Sequence, residues 1–231
     1  MTFTPNLQKL TLDNFETTTK ILDNENRVIY KSFKNENRTI VDFDNISKNM
    51  VNAIISVEDK NFYNHKGISI TGIARSIYNN FFSNIKYGGS TITQQLVKNI
   101  LLTNEKTYIR KFKEIYLSLK TELLYSKNQI LTMYLNTVNF GTNAYGVQAA
   151  SQMYFGKNAK DLTIAESAML AGLPQSPSVY NPYEDIQKSK NRQAFVLKTM
   201  LTNKFISLET YTKELNSELR INPKQVTLNA P

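Results

Sequence analysis

Apolar positions change their spacing several times along this chain, and each change marks an element. Residues 1–25 are polar and weakly patterned, whereas from Arg27 to Phe43 β-branched and aromatic residues flank Asn35-Glu36-Asn37, which predicts a small hairpin. The period then becomes helical: Ile46, Met50, Val51, Ile54 and Ile55 form one stripe, and Glu58 falls at its far end. Gly88-Gly89 interrupts the chain. Thr91, with Gln94 three residues later, then makes a capping box that opens a helix holding Leu96, Val97 and Ile100. A long helix is predicted from about Thr107, with Ile109, Phe112, Ile115 or Tyr116, Leu119 and Leu123 on its buried side, and another from Asn128 through Tyr134 and Leu135. Thr163 and Glu166 form a second capping box ahead of the alanine-rich Ala165–Ala171. Pro174, Pro177 and Pro182 impose an extended, ordered loop. Two further helical segments, near 185–202 and 208–219, follow, and no internal repeat is visible. The pattern predicts a mostly α fold with a small N-terminal β-hairpin or extended segment. Residues 1–44 are expected as a linker or hairpin region, 45–222 as one domain, and 223–231 as a C-terminal linker.

The chain has 231 residues, enough for one large domain with a sizeable core, and its 41% hydrophobic content argues against disorder. The net charge of +9 changes the picture because it is uneven. Arg75, Lys86, Lys98, Lys106, Arg110, Lys111, Lys113, Lys120 and Lys127 face only Glu105, Glu114 and Glu122 over the same stretch, a local excess of +6. Such a concentration favours an anionic partner, whether nucleic acid, lipid headgroups or a phosphorylated substrate. Lys106 and Lys120, taken singly, read as a solvated basic face. The absence of cysteine excludes disulfides and thiolate chemistry, and a single histidine excludes a histidine-rich metal site. No apolar run approaches the roughly 20 residues of a membrane span, and the amino terminus lacks a signal-peptide pattern. The expectation is either a cytosolic protein or a soluble domain whose anchor is missing.

Two stretches carry chemistry that core packing does not explain. They are Glu58-Asp59-Lys60-Asn61-Phe62-Tyr63-Asn64-His65-Lys66-Gly67 and Gly89-Ser90-Thr91-Ile92-Thr93-Gln94-Gln95-Leu96-Val97-Lys98-Asn99. Adjacent carboxylates, paired glutamines and a lysine are costly to bury unpaired, so their clustering suggests a wet cleft. A third, Arg110-Lys111-Phe112-Lys113-Glu114, puts cations and one carboxylate at helical spacing along one edge. Each has a plain alternative: Glu58 as a helix-terminal surface acid, Asp59 and His65 as loop tethers, Ser90 and Thr91 as caps, Asn136 and Asn139 as turn residues, and Arg110–Glu114 as a weak surface ion pair.

Taken together and in order, these stretches resemble the peptidoglycan glycosyltransferases, family 51, found as monofunctional enzymes and as the amino-terminal half of class A penicillin-binding proteins. Lys127-Asn128-Gln129-Ile130-Leu131 running to Tyr134-Leu135-Asn136 and Phe140-Gly141 continues the match. So does Ala168-Met169-Leu170-Ala171-Gly172-Leu173-Pro174-Gln175-Ser176-Pro177 with Tyr180-Asn181-Pro182. The resemblance covers roughly Asn45 to Met200 and implies a lysozyme-like α fold, with 45–222 as the glycosyltransferase domain. It implies polymerisation of lipid II, with the growing chain as donor, by inverting displacement of polyprenyl diphosphate to give a β-1,4 link. Glu58 would be the general base on the acceptor's 4-hydroxyl, because a hydroxyl is a poor nucleophile until a positioned carboxylate takes its proton. Lys98, Arg110 and Lys111 would surround the diphosphate, with Arg75 nearby and Glu114 orienting the cations or a divalent metal (Mg or Mn), no cofactor being required by the resemblance itself. Ser90, Gln94, Gln95 and Asn99 would bind the donor sugar and phosphate, Thr91 and Asn136 belong to the same substrate-binding set, and Asp59 and His65 would shape the first loop. An inverting displacement also implies that Glu58 and Glu114 lie farther apart than the roughly 5–5.5 Å of a retaining pair.

The same resemblance makes the segment from Ile68 to Tyr87 membrane-facing, its aromatics beside Arg75 and Lys86 suiting an anionic interface at the extracytoplasmic face of the bacterial cell membrane. Moenomycin is an expected inhibitor. Family members carry an amino-terminal membrane anchor that residues 1–45 are too polar to supply. Ser83-Asn84-Ile85-Lys86 is a chance match to a penicillin-reactive motif, so penicillin is not expected to acylate the chain. Two rivals remain from the residues alone. A lysozyme-like hydrolase or lytic transglycosylase would share the fold and the glutamate but needs no cationic cradle. A basic nucleic-acid-binding module rests only on net charge and lacks any recognised signature, so no nucleic-acid partner is expected.

Overall fold

The computed structural model describes residues 7–10, 19–22, 28–32, 37–70, 72, 89–103, 105 and 107–223. Among the described residues the fold is carried by eight α-helices. These are α1 (Lys48–Glu58), α2 (Ile92–Leu101), α3 (Tyr108–Leu124), α4 (Lys127–Thr137), α5 (Val147–Phe155), α6 (Ile164–Gly172), α7 (Ile186–Thr202) and α8 (Leu208–Leu215). The strands are short: β1 (Thr19–Leu22) pairs antiparallel with β2 (Val28–Ser32), and β3 (Asn37–Arg38) pairs in parallel with β4 (Ala144–Tyr145). The mostly helical architecture expected from the pattern is the one observed.

Polar caps start most of these helices where the sequence places them. Thr91 with Gln94 and Thr163 with Glu166 form full capping boxes on α2 and α6, and Ser126 with Gln129 adds a third on α4 that the pattern had not suggested. Ser47 caps α1 by accepting from Asn49 and also donates to the Leu162 carbonyl, so one hydroxyl both starts the helix and docks it. Helix α1 is buried against α6 and α7, and the small side chains Ala168 and Ala171 of α6 lie in that core. Helix α2 packs on α3 and α4. Leu10, within the segment expected as a linker, is fully buried in the core, and its short 3-10 turn packs against α2.

Two expectations are corrected, and one helix appears that the pattern did not suggest. The hairpin turning at Asn35–Asn37 is not the one formed: β2 pairs back onto β1, and Asn37–Arg38 pair with β4 instead. A tertiary clamp takes over there. The buried Asn136 side chain accepts from the Val41 amide at 3.0 Å and donates to the Val41 carbonyl at 2.8 Å, holding the chain against α4. On α3 the apolar stripe faces outward, with Ile109 64%, Phe112 73% and Leu123 81% exposed. Its buried side is Glu114, Leu117, Ser118 and Thr121. The hydroxyls of Ser118 and Thr121 donate to the carbonyls four residues back, so this polar face packs without orphan donors. Finally, helix α5 had no signal. It starts at Gly146 and stops at Gly156, both at positive φ, with no polar side chain at its N-cap.

Candidate active site

Helix α1 delivers Glu58 as its last residue and Asp59 as its C-cap, so the two neighbouring carboxylates leave the helix in different directions. Glu58 lines an open cleft together with Ser69, Gly89 and Ser90. Its Oε2 accepts a 2.7 Å hydrogen bond from Gln95 Nε2. Burial raises the pKa of Glu58, and the hydrogen bond from Gln95 opposes that rise. Arg192 and Lys98 pull in the same direction as Gln95, while the charge of Asp59 pushes the value up. A carboxylate that is sheltered, lightly bonded and open to a cleft suits the removal of a proton.

Asp59 ties the first two sequence stretches together. Its Oδ2 accepts from the Ile92 amide at 3.1 Å, in the first turn of α2, and pairs with His65 Nε2 at 2.8 Å. Gly67 N–H donates to His65 Nδ1. Nδ1 is therefore the acceptor, which leaves the proton on Nε2 facing Asp59. The Gly67 carbonyl in turn accepts from Thr91 Oγ1 at 2.7 Å. Gly67 sits at φ +86°, and a Cβ there would lie 2.9 Å from the Ser118 carbonyl of α3, so the loop passes too close for any side chain. The loop after Glu58 is thus pinned to α2 and α3 together.

The third stretch builds a cation cluster. Glu114 is buried on α3, and its two oxygens are taken by Arg110 Nη1 at 2.7 Å and by Lys111 Nζ. Lys111 Nζ also donates to Ser90 Oγ at 3.1 Å, which brings the cluster to the rim of the Glu58 cleft. Lys98 is carried on the last turn of α2, close enough to influence Glu58, and Asn99 beside it is exposed. Among the described residues no three acidic or histidine side chains converge, and both Glu114 oxygens already hold cations, so any divalent ion here would have to draw most of its ligands from substrate and water.

The remaining candidates have structural partners. Thr91 and Gln94 are buried in the α2 capping box, and Asn136 is fully buried on the Val41 and Thr132 backbone. Arg75, Phe81, Phe82 and most of the segment from Ile68 to Tyr87 lie outside the described residues. Sequence reasoning gave no role to Tyr134, Arg192, Glu122 or Lys127. The Tyr134 hydroxyl donates to Gln95 Oε1 at 3.1 Å, and Glu122 binds both Thr93 and Lys127, whose ammonium sits 4.5 Å over the Phe62 ring. Tyr134 within the run Ile130-Leu131-Thr132-Met133-Tyr134-Leu135 was the available signal, since a buried phenol needs a partner.

A transglycosylase family profile matches residues 25–201. The chain is 44% identical over 192 residues to penicillin-binding protein 1A of Neisseria gonorrhoeae, covering 83% of this chain and 24% of that protein. It is 41% identical over 211 residues to penicillin-binding protein 1A of Clostridium botulinum, covering 87% of this chain and 26% of that one. The chain therefore spans about a quarter of the length of the curated relatives it matches. The crystal structure of penicillin-binding protein 1A from Haemophilus influenzae is similar in fold, with a TM-score of 0.50 at 22% identity over 91% of this chain and 22% of that one.

Proposed function

The chain belongs to the transglycosylase family, the peptidoglycan glycosyltransferases, and from that premise we propose that it polymerises lipid II into β-1,4-linked glycan by inverting displacement of polyprenyl diphosphate. The observation that carries this reading is the shared cleft: Glu58, with a raised pKa and one neutral hydrogen-bond donor, opens beside Ser90, which Lys111 holds at the edge of the Arg110–Glu114 cluster.

In this mechanism Glu58 takes the proton from the acceptor's 4-hydroxyl as that oxygen attacks the donor's anomeric carbon. The bond to the diphosphate breaks, and the leaving charge is spread over Arg110, Lys111 and Lys98. Glu114 keeps Arg110 and Lys111 parallel and neutralises part of their mutual repulsion before substrate arrives, which preorganises the cradle. A hydrolase would have no use for that cradle. Lipid-linked substrates place the site at a membrane surface, on the extracytoplasmic side where such substrates are polymerised. The outward stripe Ile109, Phe112, Tyr116 and Leu123 of α3, with Lys113 and Lys120 beside it, supports contact with anionic lipid. Lys120 Nζ lies 4.8 Å over the Tyr116 ring, so cation and aromatic already share one patch. No helix among the described residues is long and apolar enough to cross a membrane.

The test is polymerisation of labelled lipid II in detergent by the wild type and by Glu58→Gln, with moenomycin as a control. Long glycan from the wild type alone, abolished by moenomycin, is the expected result. Polymer from both proteins would remove Glu58 from its role, and polymer from neither, with the fold intact by circular dichroism, would overturn the reading.

A further inference from the structure

Gln95 stands in the set that the resemblance implies for donor binding, yet its side chain is engaged elsewhere. Both ends of its amide are used: Nε2 donates to Glu58 Oε2 at 2.7 Å and Oε1 accepts from the Tyr134 hydroxyl at 3.1 Å. Chemistry fixes this orientation. An ionised carboxylate can only accept, so the amide must turn its NH2 toward Glu58, and its oxygen then faces the phenol. Tyr134 is fully buried, and its hydroxyl is held protonated because burial and the charges of Glu58 and Asp59 push its pKa well up. The phenol therefore keeps its proton to donate to the amide oxygen, which reinforces the orientation that the Glu58 carboxylate sets. The frame is rigid at both ends. Tyr134 lies in the core on α4, and Gln95 lies one turn beyond the α2 N-terminus, which Asp59, the residue next to Glu58, holds by the Ile92 amide.

We infer that Tyr134 and Gln95 are positioning residues for the base: the phenol fixes the amide, the amide fixes Glu58 Oε2, and Oε1 is left directed at the acceptor hydroxyl. Among the described residues the hydrogen bond that Glu58 accepts falls on Oε2, from Gln95. Gln95 acts on the carboxylate rather than on the donor sugar, and the Tyr–Gln–Glu chain links the core to the proton-accepting oxygen. This inference rests on Glu58 being the base.

The experiment compares wild type, Tyr134→Phe, Gln95→Leu, the double variant and Glu58→Gln in lipid II polymerisation. A parallel measurement follows the Glu58 carboxyl by 13C NMR titration, which needs no substrate. Tyr134→Phe should lower kcat roughly 10-fold or more, since small misplacements of a reacting group are costly, with the KM for lipid II unchanged within about twofold. The Glu58 titration and the acid limb of kcat should move together to higher pH, because a hydrogen bond favouring the charged form is lost. Gln95→Leu should show the same signature more strongly, and Tyr134→Phe should add nothing in its background. If Tyr134→Phe does not fold, Gln95→Leu at the half-buried position supplies the same readouts. A raised KM with an unmoved titration would assign Gln95 to substrate and overturn the inference, as would unchanged kcat in folded Tyr134→Phe. An active Glu58→Gln would instead remove the base itself and the inference with it.

Discussion

Glu58 and Glu114 are the same side chain placed in opposite surroundings. Glu58 ends a buried helix, opens to the cleft and receives one hydrogen bond from a neutral amide, so burial dominates and its proton is held more tightly than usual. Glu114 is buried mid-helix with a cation on each oxygen. The contrast teaches that role follows from partner charge: a carboxylate between two cations is an organiser, and one beside an amide is free to move a proton.

The largest effect should come from replacing the proton acceptor. Glu58→Gln is expected to lower the rate of glycan polymerisation by about 10²–10⁴-fold, the usual contribution of general base catalysis, with lipid II binding retained. Filter binding of labelled substrate alongside the rate assay checks both halves. Glu114→Gln should act differently. It leaves Arg110 and Lys111 to repel each other, so the KM should rise and stability fall by about 1–3 kcal/mol, the scale of a hydrogen bond to a charged group. Urea denaturation gives the second number. If Glu58→Gln destabilised and Glu114→Gln did not, the contrast between the two sites would collapse.

Proton linkage sharpens the comparison with smaller effects. As the proposed base Glu58 would act as the carboxylate, so kcat should fall as pH drops through its raised pKa, at a higher pH than an ordinary glutamate would give. The folded protein binds this proton more tightly than the unfolded chain, so the group favours the fold below the ordinary glutamate range, and that contribution is lost as pH rises through the raised value. Glu58→Gln should therefore gain in melting temperature relative to wild type as pH rises across that window, a trade of stability for function that thermal scans at several pH values would detect. The smallest effect on the fold belongs to the outer stripe of α3. Phe112→Ser with Leu123→Ser should change stability by no more than about 0.5 kcal/mol, yet weaken binding to vesicles of anionic lipid. Loss of fold would show that the stripe is covered rather than open.

Much of this site is legible before any coordinates. Glu58 at a helix end, the Thr91–Gln94 capping box and the helical spacing of Arg110, Lys111 and Glu114 are local facts, and the structure contains each of them. What escapes local reading is direction. The apolar residues of α3 have the period of a buried stripe, but periodicity does not say which stripe the rest of the chain covers, and here the polar one is covered. The Asn35–Asn37 turn signal gives way for a similar reason, because the buried Asn136 amide offers Val41 a distant partner that no window of neighbours contains. Helix α5 had no polar cap to announce it, only glycines at both ends.

The chain by itself determined the family, the helical class and the residue types of the chemistry, because caps, periods and ordered motifs are properties of neighbours in sequence. Only the tertiary structure decided which of those residues touch: that Gln95 bonds both Glu58 and Tyr134, that Asn136 and Gln94 are tethers, and that α3 shows its apolar side outward. Hydrogen-bond orientation and burial arise between segments far apart along the chain, and only packing brings those segments within reach of one another.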